Sequence, residues 1–249
     1  MNPPAVFLRV LALPLLLVGL AVATAACGGG GGDEDTGEGA GPLPDAATLT
    51  GTAADRMEAL ESFHFVVSHE AGTTPITAGL QMERAEGDSK TPDRLTADVD
   101  ALVPQLGNAE IDVKVIWVRE IARMTNPFDR TRWMEVPGDA LQGLFDPGAG
   151  TVAALRAATG HTVAGEETIG GVPCWVVTAV VDGEALKAFA DVAEAGYTVA
   201  LTLWIGEQDN RVHRVRLDGP MGADDTPGVI RVIDLTRFDE PVEIELPPE

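Results

Sequence analysis

Cysteine is nearly absent: the chain holds two, Cys27 and Cys174, in 249 residues. That excludes a disulfide-stapled scaffold, so burial must stabilise the fold. Aromatic side chains are also sparse, at 5 % with a single tyrosine, which leaves aliphatic residues to fill a core. Positive charge is scarce. There are 17 Lys and Arg against 39 Asp and Glu, for a formal net charge of −22. Such a surface repels nucleic acid, whose binding rests on phosphate neutralisation. It also repels anionic head groups, so membrane attachment would need an anchor and not the domain surface. The bland reading of the acidity is solubility in an exposed compartment.

The N-terminal apolar run, Val10–Ala23, is broken by Pro14 and Gly19 and falls short of the roughly 20 residues a transmembrane helix needs. It follows Arg9 and leads into Ala23-Thr24-Ala25-Ala26-Cys27, the layout of a signal peptide. The small-small-Cys end resembles a bacterial lipobox, in which the cysteine thiol takes a diacylglycerol and cleavage leaves Cys27 first. Thr24 stands where that pattern prefers Leu. Plain secretion and an uncleaved anchor are the alternatives. Residues 1–26 are thus expected to be a signal peptide and Cys27 the lipid-attachment residue. Residues 27–44 are read as a flexible tether: Gly28–Gly32 is unbroken glycine and Asp33-Glu34-Asp35 follows. About twenty such residues reach roughly 25 Å. The expected location is the cell membrane, lipid-anchored on the extracytoplasmic side, with residues 45–249 as one domain.

Along that domain, Leu49, Ala53, Met57 and Leu60 make one helical face behind Asp45, a start signal. Strands are expected at Phe63–Ser68, Ile76–Arg84, Leu95–Ala101, Ala109–Val118, Glu120–Met124 and Thr131–Val136, with turns at Gly87-Asp88-Ser89 and Asn126-Pro127. Helical stretches follow at Asp139–Phe145 and Thr151–Thr159. Strands resume at Thr162–Ile169 and Val172–Val181, a short helix is expected at Gly183–Ala195, and the last strands are Thr198–Ile205, Arg211–Leu217, Val229–Leu235 and Val242–Leu246. The absence of βαβ alternation predicts an α+β fold with a large antiparallel sheet. In Val172–Val181 both faces are apolar, which predicts cover on both sides or a non-aqueous neighbour.

No nucleophile elbow, H-E-x-x-H, phosphate-binding loop or dinucleotide fingerprint is present, so no catalytic residue is assigned and no cofactor is implied. His64, His69, His161 and His213 lack metal-pair spacing, and His213 reads as a surface strand residue among Arg211, Arg214 and Arg216. Asp224-Asp225-Thr226-Pro227-Gly228 reads as a turn and not as a calcium loop; no metal ligand is assigned. Cys174, in Val172-Pro173-Cys174-Trp175-Val176-Val177, reads as a small buried hydrophobe rather than a nucleophile.

From residue 160 onward the text carries family motifs. Gly165-Glu166-Glu167-Thr168-Ile169-Gly170-Gly171 with Val176-Val177, Trp204-Ile205 followed by Arg211 to Val215, and the closing Pro241-Val242-Glu243-Ile244 resemble strand motifs of the LppX/LprG-like lipid-carrier lipoproteins of actinobacteria. Gly206 stands where their hairpin often has Asp. That family is related in shape to the LolA/LolB carriers and to a periplasmic regulator of anti-sigma factors. The resemblance implies a strongly curved antiparallel half-barrel, with helices on its concave side enclosing an apolar cavity for acylated lipids or glycolipids. It carries no catalytic motif. Cavity-lining candidates are Val115, Trp117, Trp175, Val177, Val199 and Leu203; for each the competing reading is a solid core. The expected function is a membrane-anchored lipid-binding lipoprotein, with transport of the lipid across the envelope as a further expectation and an envelope transporter as the protein-partner class. The competing reading is a sensor or interaction module that grips an envelope protein, with lipid at most as a signal.

Overall fold

The computed structural model describes residues 43–76, 79–136, 147–190 and 192–247. Cys27, the signal-peptide and tether readings and the helix expected at Asp139–Phe145 lie outside the described residues. The 3.6-residue spacing at the start of the domain becomes helix α1, Ala46–Glu58, which buries Leu49, Ala53 and Met57. Asp45 caps it, its carboxylate accepting from the Thr48 N–H at 2.8 Å, a contact that satisfies one of the helix's orphan donors.

The strands are β1 (Ser62–Ala71), β2 (Thr74–Ile76), β3 (Leu80–Lys90), β4 (Arg94–Val103), β5 (Ala109–Val118), β6 (Ile121–Asn126) and β7 (Asp129–Val136). Helix α2 (Pro147–Ala157) separates these from β8 (Thr159–Ile169), β9 (Val172–Asp182), β10 (Thr198–Gly206), β11 (Val212–Asp218) and β12 (Ile230–Thr236). They form one open sheet in the order β7-β6-β5-β4-β3-β1-β12-β11-β10-β9-β8, with β2 paired to β3. Short links make neighbours antiparallel, so the sheet is two meanders. They join where β1 pairs with β12, as in Val67 opposite Ile233. The expected α+β class with a large antiparallel sheet is what the chain adopts.

Both helices pack on one side, called here the inner face: α1 meets β8 and β10, α2 meets β9, and the two touch each other. Side chains of a strand alternate between faces, and the register carries one apolar row across nine strands of this face. It runs Val113, Val99, Ala85, Val67, Ile233, Val215, Leu203, Val177 and Val163. The outer face is charged. Arg214 binds Asp234 at 2.6 Å, Arg216 binds Glu70 at 3.0 Å, and His64 meets Asp88 at 2.9 Å. Exposed pairs of this kind add little stability but keep that side wet.

Several expectations are corrected. Gly87-Asp88-Ser89 is not a turn but lies inside β3. A Cβ on Gly87 would stand 1.9 Å from the Thr96 carbonyl oxygen, so glycine is required there by close backbone approach. The Ile76–Arg84 run divides between β2 and β3. Gly183–Ala195 is not an α-helix: a 3₁₀ turn covers Gly183–Leu186, and Asp182 ties the two ends of the loop by accepting from the Glu184 N–H (2.9 Å) and the Gly196 N–H (3.1 Å). Val242–Leu246 is no strand. Side chains take its carbonyls instead of a ladder: Lys90 donates to Val242 O, Arg94 to Ile244 O and, just beyond, Arg123 to Pro247 O. The second face of β9 is only partly covered: Val180 is 41 % exposed, whereas Cys174 on the same face is buried.

Candidate functional site

The inner face is where the sequence-derived candidates lie. Val177, Val199 and Leu203 are fully buried on β9 and β10 under the helices, in positions typical of solid core. Trp175, opposite Ile205, is half-buried and packs against the same cluster. On the other meander, Val115 lies opposite Ala97 and Met124, and Trp117 opposite Leu95 and Ala122. Both are half-buried. The structure therefore gathers the six on one face in two groups, four on β9 and β10 and two on β5. Six strand spacings, about 29 Å along the sheet, separate β5 from β10. The main helix contacts fall on β8, β9 and β10; Val99, Val115, Trp117 and Met124 stay only half-covered.

Polar atoms are few on this face, and two are unsatisfied. Trp117 Nε1 and Arg231 Nη1 are buried without a hydrogen-bond partner, as is His161 Nε2 on β8. An unmade buried hydrogen bond costs about 1–3 kcal/mol. Arg231 faces inward, opposite His69 and Leu217, and it anchors a relay. Its Nε donates to Thr74 Oγ1 at 2.6 Å. His69 Nδ1 lies 2.8 Å from the Glu83 carbonyl, which can only accept, so Nδ1 carries the proton. Nε2 of His69 then accepts from Thr74 Oγ1 at 2.8 Å. Burial pushes the His69 pKa below its ordinary value, which favours this neutral form. Burial also pushes the Arg231 guanidinium below its usual range, against the opposing pull of Asp225. The Arg231–Asp225 ion pair is almost wholly enclosed, and Asp225 also accepts from the Met221 N–H at 2.8 Å.

Sequence reasoning saw Asp225 only as turn material and missed Arg231 and Thr74. The available signal was Arg231 at an inward position of a strand whose other inward residues, Ile233 and Leu235, are apolar and buried, with two acids shortly before it. His213 is a further correction. It is 8 % exposed, bonded to Asp209 at 3.1 Å and set edge-on to Phe238. This explains Gly206, where a Cβ would lie 2.2 Å from Asp209 Oδ1. Cys174 is fully buried and free. Its thiol lies 3.4 Å from the Val172 carbonyl, and burial pushes its pKa up, as suits a packing residue. Among the described residues no three His, Cys, Asp or Glu side chains stand together as a metal site. A cleft of about 50 Å³ between Ser62, Asp88, Arg237 and Glu240 suits a small polar group and not an acyl chain. No helix among the described residues is long and apolar enough to cross a membrane.

Comparison with known proteins places these features in context. The sequence model described as "LppX_LprAFG lipoprotein" matches residues 45–244. The lipoarabinomannan carrier protein LprG of Mycobacterium tuberculosis is 27 % identical over 215 residues, covering 84 % of each chain. The crystal structure of LprF from Mycobacterium bovis superposes with a TM-score of 0.64 at 19 % identity, covering 84 % of this chain and 99 % of that one. Mycobacterium tuberculosis LppX gives 0.57 at 16 % identity, with 80 % and 98 % covered. At such identities the structural matches establish a shared fold.

Proposed function

The chain belongs to the LppX_LprAFG lipoprotein family, and on that premise we propose that it binds an acylated lipid or lipoglycan on its inner face while held to the cell membrane by a lipid on Cys27. Residues 1–26 are then the signal peptide, 27–44 the tether and 45–249 the binding domain, bent into a half-barrel around its cargo. The observation that carries this reading is the nine-strand apolar row from β5 to β8, beside which Val115 and Trp117, on the same face of β5, stay half-buried. The LprG relative is named as a carrier of lipoarabinomannan, which makes a lipoglycan the first cargo class to examine.

The physics is favourable. Each methylene taken out of water contributes about 0.8 kcal/mol, so an acyl chain needs no hydrogen bond to be held. The unpaired Trp117 Nε1 is placed to donate to an ester carbonyl, a bond that would orient the cargo. Val177, Val199 and Leu203 form the floor beneath the helices, and Val115, Trp117 and Trp175 the accessible wall. No step of this function is catalytic.

The test is native mass spectrometry of the full chain purified from its membranes, compared with Val115→Trp. Lipid adducts on the parent chain that fall at least about tenfold in the variant are expected, since a bulky ring displaces several methylenes. A folded parent chain with no extractable lipid and no uptake of a hydrophobic dye would overturn the reading. A stoichiometric envelope protein that both chains capture equally would favour an interaction module instead.

A further inference from the structure

Among the described residues exposed large apolar side chains are few, and three of them lie toward one end of the sheet. Phe128 is 80 % exposed in the β6–β7 turn, Leu106 is 58 % exposed in the β4–β5 turn, and Leu43 is 58 % exposed just before α1. Scattered surface apolar residues need no explanation; their shared position and surroundings do. In an antiparallel sheet the β4–β5 and β6–β7 turns share an end, together with the β1–β2–β3 connection and the start of β8. Helix α1 is about 20 Å long and its C-terminal end feeds β1 at the opposite end of the sheet. Its first turn therefore lies toward the Phe128 end, where β8 begins. The first described residue of the domain, Leu43, is at that end.

Charge divides the two ends. In a chain with 22 % charged residues, the stretches 72–79, 104–108 and 126–128 contain none. The turns at the opposite end carry Asp93, Arg119, Glu120, Glu207 and Asp209. An acidic surface is repelled by anionic head groups, so these uncharged turn residues, bordered by Glu110, Asp129 and Arg130 at the strand starts, are the part of this molecule best able to approach a bilayer. The loops after β9 and β11 share the Phe128 end but hold Glu184, Lys187, Glu194 and Asp224, which confines the contact to the β1–β7 meander.

We propose that the turns bearing Phe128 and Leu106 form a rim that inserts into the interface of the lipid bilayer beside the anchor. Aromatic and leucine side chains at loop tips enter the headgroup boundary by burying apolar area. The strand that starts at the Leu106 turn carries the inward groups Val115 and Trp117 toward its far end, about 20 Å and 27 Å from Ala109, so the inner face leads away from the rim. The inference rests on the lipid-anchored reading for delivery to the bilayer, and it revises the expectation that only the anchor touches the membrane.

The experiment uses the full chain in phosphatidylcholine–phosphatidylglycerol vesicles, with an environment-sensitive dye on Phe128→Cys and, separately, on Glu207→Cys at the opposite end. Brominated lipid should quench the dye at 128 at least about fivefold more than the dye at 207, with a blue shift only at 128. Adding Leu106→Asp should lower the quenching at 128. Equal quenching at the two positions overturns the rim. Native mass spectrometry of the same samples separates the two readings: retained lipid with equal quenching rejects the rim alone, and unequal quenching without retained lipid rejects the cargo alone. A chain that fails to sediment with vesicles overturns the rim and the lipid-anchored delivery it rests on.

Discussion

Replacing Asp225 with alanine should destabilise the protein by about 3–5 kcal/mol, the range for breaking a buried ion pair on one side. The side chains of Arg231 and Asp225 are 4 % and 0 % exposed, so water cannot replace the lost partner. The guanidinium would keep only its 2.6 Å bond to Thr74, with Nη1 already unpaired, and the Met221 N–H would lose its acceptor as well. For a domain of this size each kcal/mol moves Tm by about 2–4 °C, which gives a fall of roughly 6–20 °C. The double variant Asp225→Leu with Arg231→Met removes both charges together. It should lie within about 2 kcal/mol of the parent, because apolar replacement of a buried pair is often neutral. His69 and Thr74 keep their mutual bond in that variant. Urea unfolding followed by circular dichroism, with thermal melts alongside, measures both. A loss below about 1 kcal/mol for Asp225→Ala, or a double variant less stable than the single, would refute the argument that burial sets the cost.

Three further outcomes are expected. Burial lowers the His69 pKa, so the unfolded chain binds the proton more readily. The stability this provides is complete above the ordinary histidine value near 6.5 and is lost as pH falls from there toward the folded value; urea midpoints at pH 7.5 and 5.5 should differ less in His69→Gln than in the parent. Gly87→Val should cost at least about 2 kcal/mol, because its Cβ meets backbone that cannot turn aside, and the variant's urea midpoint measures it. Ile244→Ala should cost about 2–4 kcal/mol, since Ile244 is 3 % exposed in the closing segment; a midpoint equal to the parent's would show that segment to be peripheral.

Legibility followed how local the cause was. The alternation from Ala109 to Val118 delivered β5 to the residue, because a half-buried strand writes its period into the chain. Asp45 and the spacing behind it located α1 for the same reason. The turn signal at Gly87 misled because that glycine serves a neighbouring strand, 1.9 Å from where its Cβ would be. Alternation at Val242–Leu246 misled because Lys90, Arg94 and Arg123 compete for the carbonyls a ladder would use. Of the six candidate site residues, all had their shared face legible in the sequence. Their separation into a buried group under the helices and a half-covered group on β5 was not, since that depends on where α1 and α2 come to rest.

Pattern and composition in the sequence determined the α+β class, the facing of most strands and the family to which the chain belongs. These follow from periods of two and 3.6 and from motifs a few residues long. Tertiary structure alone decided the rest. Pairing β1 with β12 brings residues at the two ends of the domain into one ladder, and only then does Arg231 meet Thr74, 157 positions away. The gathering of Phe128 and Leu106 at one end of the sheet is likewise a property of strand direction, which no local stretch encodes. Side-chain periodicity is set residue by residue, whereas burial, ion pairing and the sharing of an end depend on the closure of long loops.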